Sequence, residues 1–123
     1  MVLADTSVWV AHFRLANPVL QSLLATDQIL CHPLIVIEIA CGTPPAPRAR
    51  TLEYLKRIQQ AVLATADEVL AFIENRRCYD TGCGATDIAL LASALLTPDT
   101  RLWTLDQDLS ALATRMDVIW NVA

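Results

Sequence analysis

Short apolar runs alternate along the chain with stretches whose apolar positions recur at helical spacing. Val2, Leu3 and Ala4 form an apolar run cut off by Asp5, Thr6 and Ser7, a polar triplet suited to opening a helix, so strand followed by helix is expected from the first residues. Residues 8–15 and 18–25 carry apolar side chains at helical spacing, broken into two pieces by Asn17 and Pro18. Ile29, Leu30 and Cys31 read as a second buried strand. Pro33 then sits where proline is tolerated, in the first turn of a helix running to Cys41 and Gly42. Pro44, Pro45 and Pro47 stiffen the loop that follows.

The second half repeats the alternation. An amphipathic helix over 48–60 places Leu52, Leu55 and Ile58 inward; Val62 and Leu63 read as a short strand; a helix over 66–77 turns Val69, Leu70 and Ile73 to the core. Residues 78–85, with Gly82 and Gly84, form a turn-rich loop, after which Thr86 and Asp87 cap a helix over 88–96 that lacks any charge and belongs at the centre. Residues 101–105 form a strand, Asp106, Gln107 and Asp108 open a last helix through Ala113, and Val118, Ile119 and Trp120 close the pattern as a strand. The alternation predicts one α/β domain over 1–123 with right-handed crossovers, a mostly parallel sheet lying between helix layers. Active sites of such sheets lie at the carboxyl ends of the strands, where Asp5 and Asp106 stand.

Composition narrows the function. With 54% hydrophobic and 18% charged residues among 123, the chain packs a core and is no disordered tail. A net charge of −4 excludes a DNA binder with a basic face. The four cysteines, Cys31, Cys41, Cys78 and Cys83, form no CxxC pair, and His12 and His32 lack zinc-finger spacing, so the cysteines read as buried thiols. No basic leader and no apolar run near the ~18 residues of a membrane span are present, which predicts a cytoplasmic protein away from membranes. Gly82-Cys83-Gly84 is no phosphate loop, since Lys56 is the one lysine and no Gly-Lys-Ser/Thr occurs. No serine lies in a G-x-S-x-G elbow.

The acids carry what remains. Asp5, Asp87 and Asp106 each have a plain use at a helix N-terminus, where a carboxylate caps N–H groups and meets the dipole. Glu38 differs, because it sits within an apolar stretch, 34–40, where an unpaired buried carboxylate costs several kcal/mol. Either a buried arginine meets it, Arg14 or Arg101, or it faces a carboxylate cluster holding a hard divalent cation. Mg²⁺ and Mn²⁺ prefer oxygen ligands, and Mg²⁺ commonly keeps waters and takes one or two carboxylates. Such a cation lowers the pKa of a bound water, polarises a phosphate and cancels repulsion between an acidic chain and a polyanion. An acidic protein cuts nucleic acid on these terms.

Apolar strand then Asp5-Thr6-Ser7, Glu38 in an apolar helix, Thr86-Asp87 opening an Ala/Leu-rich helix, and Leu102-Trp103-Thr104-Leu105-Asp106 near the end resemble, in order, spacing and total length, the PIN-domain nucleases. Over its whole length the chain looks like the VapC toxins of bacterial type II toxin-antitoxin pairs. The resemblance implies a three-layer α/β/α sandwich with four or five short strands and an acidic quartet of Asp5, Glu38, Asp87 and Asp106 around one or two Mg²⁺ or Mn²⁺ ions. Asp5 and Asp87 match direct ligands, while Glu38 and Asp106 match residues that act through water. Ser7 and Thr104 match small hydroxyl residues flanking the site, and Asp108 is an extra acid where relatives often carry a base. The same resemblance implies cleavage of single-stranded or loop RNA, a homodimer, and silencing by a small VapB antitoxin in a heterotetramer or larger assembly. On the residues alone, a PIN-like scaffold that binds RNA or protein without cutting stays open. Trp9 and Phe13 suit either the core or a partner groove, and Arg14, Arg48, Arg50, Arg76 and Arg77 either an RNA path or a solvated face.

Overall fold

Three short parallel strands lie side by side, β1 (Val2–Ala4), β2 (Ile29–Leu30) and β3 (Arg101–Trp103), in the order β2-β1-β3. The structure is a computed structural model that describes residues 1–121; Val122 and Ala123, the last positions of the domain expected over 1–123, lie outside the described residues. Val2 pairs with Ile29 and Arg101, Leu3 with Leu30 and Leu102, and Ala4 with Trp103. Every residue of β1 and β2 is buried, so both faces of the sheet are covered, as a parallel sheet requires.

Among the described residues the sheet has three strands rather than four or five. The two segments expected at its edges each meet it at a single residue pair, Gln60 with Cys31 and Ile119 with Leu102. Val62 and Leu63 point to solvent, 47% and 52% exposed, so no apolar contact carries the pairing past the bond from Ala61 N–H to the Cys31 carbonyl. At the other edge only Leu102 pairs, bonding Val118 and Trp120 at 2.8 Å each, while Trp120 stacks on Trp103 with ring centroids 4.7 Å apart.

The helices are α1 (Thr6–Arg14), α2 (Pro18–Ala25), α3 (Pro33–Cys41), α4 (Arg48–Arg57), α5 (Ala66–Arg76), α6 (Ala85–Leu96) and α7 (Gln107–Arg115). Several starts follow the expected chemistry. Asn17 Oδ1 accepts from Val19 and Leu20 ahead of Pro18, and His32 Nδ1 accepts from Leu34 N–H at 3.0 Å ahead of Pro33. Thr65 and Glu68 form a reciprocal capping box on α5.

Several boundaries and one helix face differ from the sequence pattern: β3 stops at Trp103 and α7 runs on to Arg115. Helix α6 starts at Ala85 behind an extended Gly84, so Asp87 lies inside its first turn instead of capping it. Helix α4 stops at Arg57 because Ile58 turns extended. On α5, Leu70 is 61% exposed, and Val69, Phe72 and Ile73 face the core, since Phe72 shares the i, i+3, i+4 stripe that Leu70 was expected to fill. Beyond Asp87, α6 carries no charge and buries Ile88 and the run from Leu90 to Ala94, as a central helix should. Trp9, 1% exposed, belongs to the core, with Phe13 half-buried against it. Among the described residues no helix is long and apolar enough to cross a membrane.

Candidate active site

The chain runs from central β1 to β2 on one side and then to β3 on the other. The direction of winding therefore reverses between β1 and β3, and the crevice outside the carboxyl ends of those strands is where open α/β sheets bind ligands. Asp5 directly follows β1, Thr104 directly follows β3, and Asp5 N–H donates to the Trp103 carbonyl at 3.0 Å.

Asp5 is 4% exposed and its carboxylate is held on both oxygens. Oδ1 accepts from the Ser7 hydroxyl and from Val8 N–H (3.3 Å); Oδ2 accepts from the Thr104 hydroxyl. Each hydroxyl is itself aimed by a backbone donor: Leu105 N–H donates to Ser7 Oγ at 2.9 Å and Asp106 N–H to Thr104 Oγ1 at 3.0 Å. Ser7 and Thr104 thus form two matching relays that tie the loop after β3 to the end of β1. A carboxylate offers about four lone-pair positions, so one remains open on Asp5 Oδ2. Burial pushes the Asp5 carboxyl up in pKa, and the hydrogen bonds from Ser7, Thr104 and Val8 pull it back.

Asp87, half-buried in the first turn of α6, is the electrical meeting point. Its pKa is raised by burial first and then by the negative charges of Asp106, Asp5 and Glu38, against one lowering hydrogen bond from Gly84. Asp87 is thus the acid on which the charges of the other three act. Asp106 caps α7 by accepting from Leu109 N–H at 2.8 Å, and Glu38 on α3 accepts from the Thr6 hydroxyl at 2.6 Å.

The cost argument for Glu38 needs correcting. Ile35 and Ile39 are buried, but Ile37 is 56% exposed and Glu38 lies on the exposed side with it, so an apolar sequence did not mean a buried carboxylate. No arginine neutralises it. Arg14 lines the same cleft without pairing, Arg101 donates to the Asp117 and Ile119 carbonyls, and among the described residues the ion pairs join only Glu53 to Lys56 and Arg57.

Asp108 stands at the border. It packs against Gly82, whose φ is +84° and where a Cβ would lie 2.5 Å from Asp108 Oδ2. The negative charges of Asp87, Asp106 and Asp108 add to burial in raising the Cys83 thiol, yet Asp108 is absent from the charges acting on Asp87. Sequence reasoning missed Thr6 as the partner of Glu38 and Cys83 as a neighbour of the acids, and no spacing signal marks either. It also took all four cysteines as buried, whereas Cys31 and Cys78 are buried, Cys83 is half-buried and Cys41 is exposed.

The donor set is oxygen-only, unneutralised and partly unsatisfied, which suits a hard cation. Among the described residues no group of three or more His, Cys, Asp or Glu side chains is placed to hold a metal ion between them. Mg²⁺ needs none, because it keeps several waters on one or two carboxylates, whereas a structural zinc needs four protein ligands.

No protein-family model matches the chain. Two curated relatives do, both named Ribonuclease VapC32, from Mycobacterium tuberculosis strains CDC 1551 / Oshkosh and ATCC 25618 / H37Rv. Each is 41% identical over 118 residues, covering 96% of this chain and 94% of the relative. Identity at that level over nearly the full length of both chains, with a parallel α/β sheet and acids at its carboxyl ends, means that this chain belongs to the VapC family of PIN-domain ribonucleases.

Proposed function

We propose that the protein is the toxin of a VapBC-type pair, an endoribonuclease that hydrolyses single-stranded or loop RNA with Mg²⁺, or Mn²⁺ in its place, bound at the acid crevice. What supports this reading is that the charges of Asp106, Asp5 and Glu38 all act on Asp87, while among the described residues no ion pair neutralises any of the four. When bound, the metal supplies a water of lowered pKa and charge stabilisation on the phosphate. The protein's part is positional. Asp5 is fixed by the Ser7 and Thr104 relays, so its open lone pair points from a rigid strand end and loses little ordering entropy on binding. Asp87 reaches in from α6, and Glu38 and Asp106, anchored by Thr6 and by the α7 N-terminus, accept hydrogen bonds from water on either side.

For the antitoxin we propose the cleft of about 510 Å³ lined by Val10, Phe13, Arg14 and Ile39, with Glu38 at its mouth. An apolar segment fits its walls, and a basic side chain at its end would meet the acids. A homodimer would cover Val62, Leu63 and Leu96, exposed apolar residues gathered by the bond from Val62 N–H to Thr97 Oγ1. The decisive experiment incubates purified protein with structured RNA plus Mg²⁺ or Mn²⁺, then with chelator. Cleavage that stops with chelator and in a folded Asp87→Asn variant is expected; metal-independent cleavage unaffected by either acid substitution would sink the reading. Binding without cutting would favour the scaffold alternative.

A further inference from the structure

Helix α5 ends at Arg76, and Arg77 follows in the left-handed region with φ 53°. Arg115, on the last turn of α7, donates from Nη2 to the carbonyls of Arg76 (2.7 Å) and Arg77 (3.3 Å). Two helices remote in sequence thus bring the Arg115 guanidinium against the backbone of two further exposed arginines, and among the described residues none of the three forms an ion pair. A net charge of −4 leaves the chain well supplied with acids, so an unpaired cationic cluster costs self-repulsion that an arriving anion relieves.

The cluster is not isolated from the acids. Arg115 lines a groove of about 240 Å³ with Thr81, Asp108, Ala111 and Leu112. Asp108 and Arg115 share one face of α7, and Asp106 to Arg115 spans about 14 Å at 1.5 Å per residue. The loop on the other wall follows the same course: Cys78 lies in the field of Arg76 and Arg115, while Cys83 lies in that of Asp87, Asp106 and Asp108. The groove therefore runs along α7 from Asp108 to Arg115, with small residues Thr81 and Ala111 in its walls.

We infer that Arg76, Arg77 and Arg115 form a phosphate subsite that grips the RNA strand a few nucleotides from the bond to be cut. This rests on the ribonuclease reading above and adds where the substrate runs. Guanidinium forks suit phosphate oxygens and carry no base preference, so the subsite gives affinity and register to any sequence. Arg115, tied at Nη2 alone, keeps Nε and Nη1 for the ligand.

The test uses the full chain with chelator present and a fluorescent single-stranded RNA, with affinity followed against salt. Each phosphate contact on a single strand contributes about 0.7 to the slope of log K on log salt. The Arg76→Gln/Arg77→Gln variant should lower the slope by about 1.4, and adding Arg115→Gln by about 2.1, while Arg57→Gln keeps the wild-type slope. The double variant leaves both carbonyls that hold Arg115, so its loss cannot come from a loosened helix end. With metal, KM for long RNA should rise in the double variant, and less so for an oligonucleotide too short to reach the cluster. Wild-type slope retained by both variants would overturn the subsite, as would preference for a polyglutamate peptide over RNA. A wild type that binds with the arginine-dependent slope but cuts nothing would sink the ribonuclease reading and leave the subsite standing.

Discussion

At the amino ends of the strands, Asp99 and Asp117 surround a cavity of about 610 Å³ together with Met1 and Arg101. The Met1 ammonium donates to the Asp99 carbonyl at 2.8 Å, and Arg101 donates to the Asp117 and Ile119 carbonyls. Both aspartates sit at positive φ, 53° and 54°, as do Asp27 and Asp80, so their task is the left-handed turn that short polar side chains tolerate. At the carboxyl ends, Asp5, Asp87 and Asp106 sit in or beside the first turns of three different helices, Glu38 lies on a fourth, and among the described residues no ion pair joins any of them, although Arg14 shares a cleft with Glu38. The clefts there are smaller, about 510 and 240 Å³. The roomier of these clefts lies at the end where the charges are settled, and the unneutralised acids stand at the other.

Substitutions at the two poles should separate most sharply in RNA cleavage. Losing a metal-binding carboxylate removes several kcal/mol of transition-state stabilisation, so Asp5→Asn and Asp87→Asn should each slow cleavage by about 10²- to 10³-fold. Asp99→Asn and Asp117→Asn should leave the rate alone, because asparagine takes the left-handed turn as well. Equal losses at both poles, measured in one assay, would erase the distinction.

Next in size is the Asp5 scaffold. Thr104→Val removes a hydroxyl that donates to a buried carboxylate and also strands Asp106 N–H, and hydrogen bonds to charged groups contribute about 1.5–3 kcal/mol. Chemical denaturation should show a loss in that range, and Ser7→Ala a similar one.

A smaller effect has the opposite sign. Asp87 has a raised folded-state pKa, so its contribution to stability is greatest below the ordinary value of 3.8 and is lost as pH rises through the raised value. Without metal, Asp87→Asn should therefore melt higher than wild type at neutral pH, and the gain should vanish under acid conditions. A destabilised Asp87→Asn protein would mean the four charges do not face one another.

His32 gives the gentlest test and titrates the other way. Burial lowers its pKa below 6.5, its Nδ1 accepts from Leu34 N–H, and Nε2 lies 3.1 Å from Ser93 Oγ. Its stabilisation is present above pH 6.5 and declines as pH falls from 6.5 toward the lowered value. His32→Asn, which still caps α3, should flatten the melting profile in that window.

Much of this was legible in the residues. Apolar runs ended by Asp-Thr-Ser, Asn-Pro and His-Pro marked strand ends and helix starts because those side chains satisfy first-turn N–H groups. Alternation put Asp5 and Asp106 at the carboxyl ends of strands, while the strand order that makes the switch point was not legible. The edge segments misled, because both have strand composition, yet Val62 and Leu63 pair with nothing beyond the single bridge at Gln60, and in Val118-Ile119-Trp120 only Ile119 is bridged. Glu38 misled more usefully. Its apolar neighbours suggested burial, yet Ile37 and Glu38 share an exposed side of α3, and what brings Glu38 to the crevice is the Thr6 hydroxyl. That pairing joins positions 32 residues apart and leaves no trace in local pattern.

Melting of wild type and Asp87→Asn in a Mn²⁺ titration, with released protons counted alongside, tests the convergence of the acids most directly. Wild type should gain about 2.7 kcal/mol at one hundred times Kd and release protons as the raised carboxyls ionise, while Asp87→Asn gains little. A wild-type melting curve that ignores Mn²⁺ at concentrations where RNA is being cut would contradict it.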